Sequence, residues 1–134
     1  MGKAYPALTM GRLGQVIAIV DDDPSICQAV ARLVRSLGMT PVTFKSGEDF
    51  LRELERVSEF RPDCVVLDVQ MPGLNGLEVE ERIPPRKIPV IFMTALAEDV
   101  VQKQFSQRMI LFKPFDQQTF VNALTSAFLS SDLS

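Results

Sequence analysis

The sequence contains no histidine, and that absence removes whole classes of chemistry. A Ser-His-Asp triad, a Cys-His pair and a His-ligated zinc all need an imidazole. Any reaction must therefore rest on carboxylates, hydroxyls, lysine or a metal ion. Cysteine is scarce: Cys27 and Cys64 sit at apolar positions of a predicted helix and a predicted strand, without C-x-x-C spacing. They read as buried free thiols. The longest apolar runs, such as Val16–Val20, fall far short of the roughly 20 residues that span a bilayer. No charged segment followed by an apolar stretch opens the chain, which together with free thiols favours a reducing, cytoplasmic setting. A basic stripe is missing too. The 14 basic and 17 acidic residues are interspersed, net charge −3, so direct nucleic-acid binding and membrane insertion are not expected of this chain.

What is present fits one domain with one core in a chain of 134 residues. Residues 1–14 carry Gly2, Pro6, Gly11 and Gly14 with little periodicity and read as a leader or expression remnant; 15–130 read as the domain and 131–134 as a tail. From Val16 onward, short apolar runs alternate with amphipathic segments, the pattern of βαβ units and a parallel sheet. Val16–Val20, Pro41–Phe44, Cys64–Leu67, Val90–Met93 and Met109–Phe112 are the predicted strands. Their Val, Ile and Leu content suits strands covered on both faces. The class is α/β.

The helices announce their ends. Asp23 is placed to cap the first, with Pro24 at its first position, Ile26, Val30, Leu33 and Leu37 on one face, and Gly38 as terminator. Ser46 to Asp49 resembles a capping box for the second, whose apolar face carries Phe50, Leu51, Leu54 and Val57. Asn75 with Glu78 forms another box for the third, which Pro84-Pro85 cuts short. A weaker fourth runs near Glu98 to Gln107. Asp116 caps the fifth, with Phe120, Leu124, Ala127 and Phe128 inward and an end near Leu129.

In an open parallel sheet, ligands bind beyond the carboxyl ends of the strands. There the first strand delivers Asp21-Asp22-Asp23, the third Asp68, the fourth Thr94 and the fifth Lys113-Pro114. Each alone is ordinary, since acids favour helix N-termini and a lone strand-end Asp, Thr or Lys is common on surfaces. Four together at one sheet edge point to a site. Gathered carboxylates repel one another unless a cation neutralises them, and a hard, oxygen-seeking Mg²⁺ fits. Beside such an ion Asp68 can act as nucleophile toward phosphorus, with Lys113 and Thr94 stabilising the phosphoryl oxygens.

Val20-Asp21-Asp22-Asp23-Pro24, Leu67-Asp68-Val69-Gln70-Met71-Pro72-Gly73, Met93-Thr94-Ala95 and Lys113-Pro114-Phe115 resemble, in order and context, the receiver domain of two-component response regulators, over roughly Val16 to Leu129. The resemblance implies a doubly wound, flavodoxin-like sheet of order 2-1-3-4-5 flanked by five helices. It further implies Asp68 as phosphoacceptor, Asp22 as direct metal ligand, Asp21 as ligand through water, and the Gln70 carbonyl as a further ligand. Thr94 and Lys113 complete the catalytic set, and Ala95 keeps the phosphoryl pocket open. The implied partner is a histidine kinase or phosphotransfer protein, with a homodimer as a further assembly. Activity is limited to self-directed phosphoryl transfer and autodephosphorylation, short of a conventional enzyme.

Two departures touch the output face. Ile110 stands where the family often carries an aromatic switch residue, three positions before the lysine, and Lys113 follows Thr94 by only 19 positions, about one helical turn less than the family spacing. The short spacing implies a short fourth helix, beside the third that Pro84-Pro85 clips. The alternative function is a phosphorylation-independent interaction module, against which the complete set of acids and lysine argues. A flavin carrier would need a Ser/Thr/Gly-rich phosphate loop after strand one, where three aspartates would repel phosphate. A haloacid-dehalogenase-like phosphatase would need an Asp-x-Asp-x-Thr-like run, which Asp21 to Ser25 fits poorly.

Overall fold

The computed structural model describes residues 15–56, 60–84, 88–105 and 107–133. The leader 1–14, Val57, Pro85 and Ser134 lie outside the described residues. Five strands form one sheet: β1 (Val16–Val20), β2 (Thr40–Phe44), β3 (Cys64–Asp68), β4 (Val90–Thr94) and β5 (Met109–Phe112). Their order is β2-β1-β3-β4-β5, every pair parallel. β3 is central and buried along its whole length. That burial explains its uninterrupted apolar sequence.

Five helices cover the sheet: α1 (Pro24–Ser36), α2 (Gly47–Arg56), α3 (Gly76–Arg82), α4 (Glu98–Gln104) and α5 (Gln117–Leu133). One apolar layer joins Ile17, Ile19, Val66, Ile91 and Met93 of the sheet to Cys27, Val30 and Val34 of α1 and Phe120 and Leu124 of α5. The other joins Ala18, Val20, Val65, Leu67 and Phe92 to Phe50 and Leu54 of α2, Val79 of α3 and Val101 of α4. The sheet is thus sandwiched on both faces. Both cysteines are free and buried, and burial pushes the Cys64 thiol up to about 12.

The local signals explain most boundaries. Asp23 Oδ1 accepts the Ser25 amide at 2.9 Å, and Pro24 opens α1. At the other end Gly38 takes φ +83°, with its amide bonded to Arg35 O and that of Met39 to Val34 O, a Schellman closure. Asn75 and Glu78 make the full capping box of α3. At α2 only half the expected box forms: Ser46 Oγ accepts the Asp49 amide, but the Asp49 carboxylate pairs outward with Arg52 at 2.8 Å. Asp116 Oδ1 accepts the Thr119 amide, capping α5.

Several expected boundaries move, and β2 begins one residue early, at Thr40. α4 ends at Gln104 rather than Gln107, because Phe105 turns inward edge-on to Phe92, ring centroids 5.0 Å apart, and Gln107 takes φ +66°, outside any helix. α5 continues to Leu133, past the expected stop at Leu129, since no Gly or Pro interrupts Ser130-Ser131-Asp132. Pairing also extends into Asp68 and Thr94, which close their strands rather than follow them.

α3 approaches the end of β3 closely. Gly76 donates its amide to Val69 O at 2.9 Å, and a Cβ on Gly76 would stand 2.8 Å from Asp68 O and 3.1 Å from Val69 Cα. These are backbone atoms with little room to yield. Gly76→Ala is therefore expected to lower the unfolding free energy by about 1–3 kcal/mol despite alanine's better helix propensity. Urea denaturation measures it; equal or greater stability of the variant would contradict the close approach.

Candidate functional site

The carboxyl ends of β1, β3, β4 and β5 bring together the predicted residues. Asp21 is buried at 1% exposure, anchored by its amide to Phe44 O of β2 at 3.1 Å. Its Oδ1 accepts the Asp23 amide at 2.9 Å, which aims the other oxygen at Lys113. Asp68 is buried at the end of β3, and Thr94 at the end of β4. The Lys113 amide bonds Thr94 O at 2.7 Å, tying β5 to β4 where the lysine side chain departs, and the Lys113–Pro114 peptide is cis. Lys113 Nζ then reaches across the sheet, 2.9 Å from Asp21 Oδ2 and 3.2 Å from Asp68 Oδ1.

Asp21, Asp22 and Asp68 each offer a carboxylate oxygen, and these oxygens lie within 4.8 Å of one another. Asp22 is exposed, so the cluster opens to solvent on one side. Three hard oxygen donors, two of them buried, suit a divalent cation of the Mg²⁺ kind. The residues present fit that ion. Gln70, two positions after Asp68, lies in the loop toward α3. Val69, Gln70, Met71, Pro72, Asn75, Leu77, Leu96 and Phe105 border an open cleft of about 500 Å³ beside this loop.

Electrostatics mark Asp68. Burial first, then the charge of Asp21, push its carboxyl up from 3.8 to about 6, against the pull of Lys113. For Lys113, burial works against the ammonium, but the hydrogen bond to Asp21 and the charges of Asp68 and Asp21 outweigh it and hold the group above its ordinary value. One ammonium thus serves two carboxylates and leaves the cluster short of positive charge. Thr94 Oγ1 accepts the Leu96 amide at 3.0 Å, so its hydroxyl proton is free to be donated elsewhere. Ala95, next to Thr94, is exposed.

Sequence reasoning found every strand-end residue. In the loop after β3, Gly73 takes φ +78°, and Gly76 is required by the close approach to β3. Sequence reasoning missed Glu48, whose Oε2 accepts the Leu74 amide at 3.2 Å from 26 positions away. No local pattern encodes that contact. Ile110 is partly buried against the layer containing Phe92 and Phe105.

The fold belongs to the class of doubly wound parallel α/β sheets, here with an acidic cluster and a half-buried lysine at the carboxyl edge. The particular family follows from comparison with known proteins. The chain belongs to the response regulator receiver domain family, whose sequence model matches residues 17–125. It is 33% identical to the response regulator protein TmoT of Ectopseudomonas mendocina, over 93% of this chain and 60% of that protein. It is 37% identical to the positive alginate biosynthesis regulatory protein of Pseudomonas aeruginosa, over 83% of this chain and 46% of that protein. The chain spans about 60% or less of these relatives. Among solved structures it is similar to a response regulator receiver protein from Burkholderia phymatum, with TM-score 0.77 and 40% identity, covering 85% of this chain and 94% of that one. It is also similar to the receiver domain of a Pseudomonas aeruginosa sensor histidine kinase with magnesium coordinated in its active-site cleft, with TM-score 0.75 and 26% identity, covering 86% and 98%. No helix among the described residues is long and apolar enough to cross a membrane.

The raised Asp68 carboxyl has a consequence for stability. Its folded value of about 6 lies above the unfolded 3.8, so the folded state holds the proton more tightly, and this group's cost to folding grows as pH rises from 4 to 6. Asp68→Asn, free of metal, is expected to be more stable than the natural chain by about 1–2 kcal/mol at pH 7.5, a range discounted for solvent screening, with the gain vanishing toward pH 4. Denaturation across pH measures it. No gain at pH 7.5 would contradict the reading.

Proposed function

We infer that this chain is the phosphoacceptor unit of a cytoplasmic two-component response regulator and that Asp68 receives the phosphoryl group. One observation carries the reading: Lys113 Nζ bridges Asp21 and Asp68 within an acid cluster at the sheet's carboxyl edge. The phosphoryl donor is a phosphohistidine on a histidine kinase or phosphotransfer protein, since this chain has no histidine of its own. Asp22, Asp68 and the Gln70 carbonyl, with Asp21 through water, would hold a Mg²⁺ ion, which would supply positive charge to offset the acids and the phosphoryl oxygens.

Above pH 6 the Asp68 carboxylate is mainly ionised and nucleophilic. Its oxygen forms the new bond to phosphorus as the phosphorus–nitrogen bond of the donor breaks, and the departing imidazole takes a proton from solvent. Lys113 pairs with a phosphoryl oxygen, exchanging one carboxylate contact for another anion. Thr94 gives its hydroxyl proton to a second phosphoryl oxygen while its own oxygen keeps the Leu96 amide. Aspartyl phosphate later returns to carboxylate by attack of water on phosphorus. The altered charge at Asp68 is the signal.

Incubation with acetyl phosphate and Mg²⁺, read by mass spectrometry, is expected to give one phosphate adduct on the natural chain and none on Asp68→Ala. The rate should fall toward acid pH, where protons neutralise Asp68 and compete with the ion. Lys113→Ala should slow adduct formation by about 100-fold. Absence of an adduct on the natural chain would favour the phosphorylation-independent interaction module, the reading supported by Ile110 and the seven-residue α4.

A further inference from the structure

The loop leaving β3 is restrained from outside its own βα unit. Glu48, half-buried in the first turn of α2, accepts the Leu74 amide through Oε2 at 3.2 Å. The same carboxylate lies against Gly73, where a Cβ would collide with Oε2. Gly73 already needs φ +78°, so glycine there serves both the turn and the carboxylate. Gly47 fixes the distance between the two helices: a Cβ on it would overlap Val79 Cγ2, so α2 and α3 pack with backbone against side chain. That packing keeps Glu48 within reach of the loop.

The loop's ends are held by β4 and by its own β3–α3 unit. The Val69 amide bonds Met93 O at 2.9 Å, the Gly76 amide bonds Val69 O at 2.9 Å, and Asn75 closes the capping box. Gln70 and Met71 lie between these anchors. The Leu74–Glu48 bond is the contact that ties the turn itself to α2.

We propose that Glu48 is a positioning residue for the metal-binding loop: by holding the Leu74 amide it fixes the path from Val69 to Asn75, and with it the Gln70 carbonyl. This rests on the reading of the acidic pocket as a Mg²⁺ site. Glu48 acts through its acceptor oxygen rather than its charge. The two are separable, because glutamine keeps the acceptor and loses the charge.

Calorimetric titration with Mg²⁺ of the natural chain, Glu48→Ala and Glu48→Gln tests it, with thermal unfolding recorded for each. Glu48→Ala is expected to bind Mg²⁺ about tenfold more weakly, the loss typical of removing a group that orients a metal ligand. Glu48→Gln should stay close to the natural affinity. In metal-free protein, exchange of the Leu74 amide hydrogen should quicken in Glu48→Ala and not in Glu48→Gln. Glu48→Ser serves as the truncation if Glu48→Ala does not fold. Natural affinity in the truncation, or equal weakening in Glu48→Gln, overturns the positioning role and leaves the phosphoacceptor reading standing. No Mg²⁺ uptake by the natural chain overturns both.

Discussion

Two buried carboxylates, Asp21 and Asp68, are forced together at the ends of neighbouring strands with a single ammonium between them. Burying like charges is costly, and here the register of β1 against β3 leaves no alternative. Lys113 offsets part of that cost, and the remainder appears as the raised carboxyl of Asp68. A site in this condition has affinity for positive charge built into it. The same tension lifts the Asp68 carboxyl toward neutrality while leaving it mainly ionised at pH 7.

The rest of the fold serves to hold that arrangement. β3 is buried on both faces, and Gly76 lets α3 begin directly against the peptide that carries Asp68. The two short helices lie on the same face of the sheet, α3 and α4 each with seven residues, against thirteen in α1 and seventeen in α5. On that face Phe105 fills space beside Phe92, and Ile110 packs into the same layer. Position 110 thus adds an aliphatic side chain to that layer.

Much of this was legible because buried parallel strands read as short apolar runs, and the residues at their carboxyl ends fall at one edge by topology alone. Asp21, Asp68, Thr94 and Lys113 could be grouped without any distance. Caps at Asp23, Asn75 and Asp116 were legible because the donor lies two or three residues away. Contacts distant in sequence were not. Glu48 meets Leu74 through the packing of α2 on α3, which no periodicity encodes. Helix ends failed where tertiary packing overrode local preference: Phe105 stopped α4 early by turning into the core, and α5 ran on through serines that favour caps.

A Mg²⁺ ion in the acidic cluster would relieve the charge imbalance centred on Asp68, so metal and proton would compete there. Calorimetry of Mg²⁺ binding in buffers of differing ionisation enthalpy counts the protons released. With a carboxyl near 6, about half a proton should leave per ion bound at pH 6, and essentially none at pH 8. Binding that releases no protons at pH 6 would contradict the account.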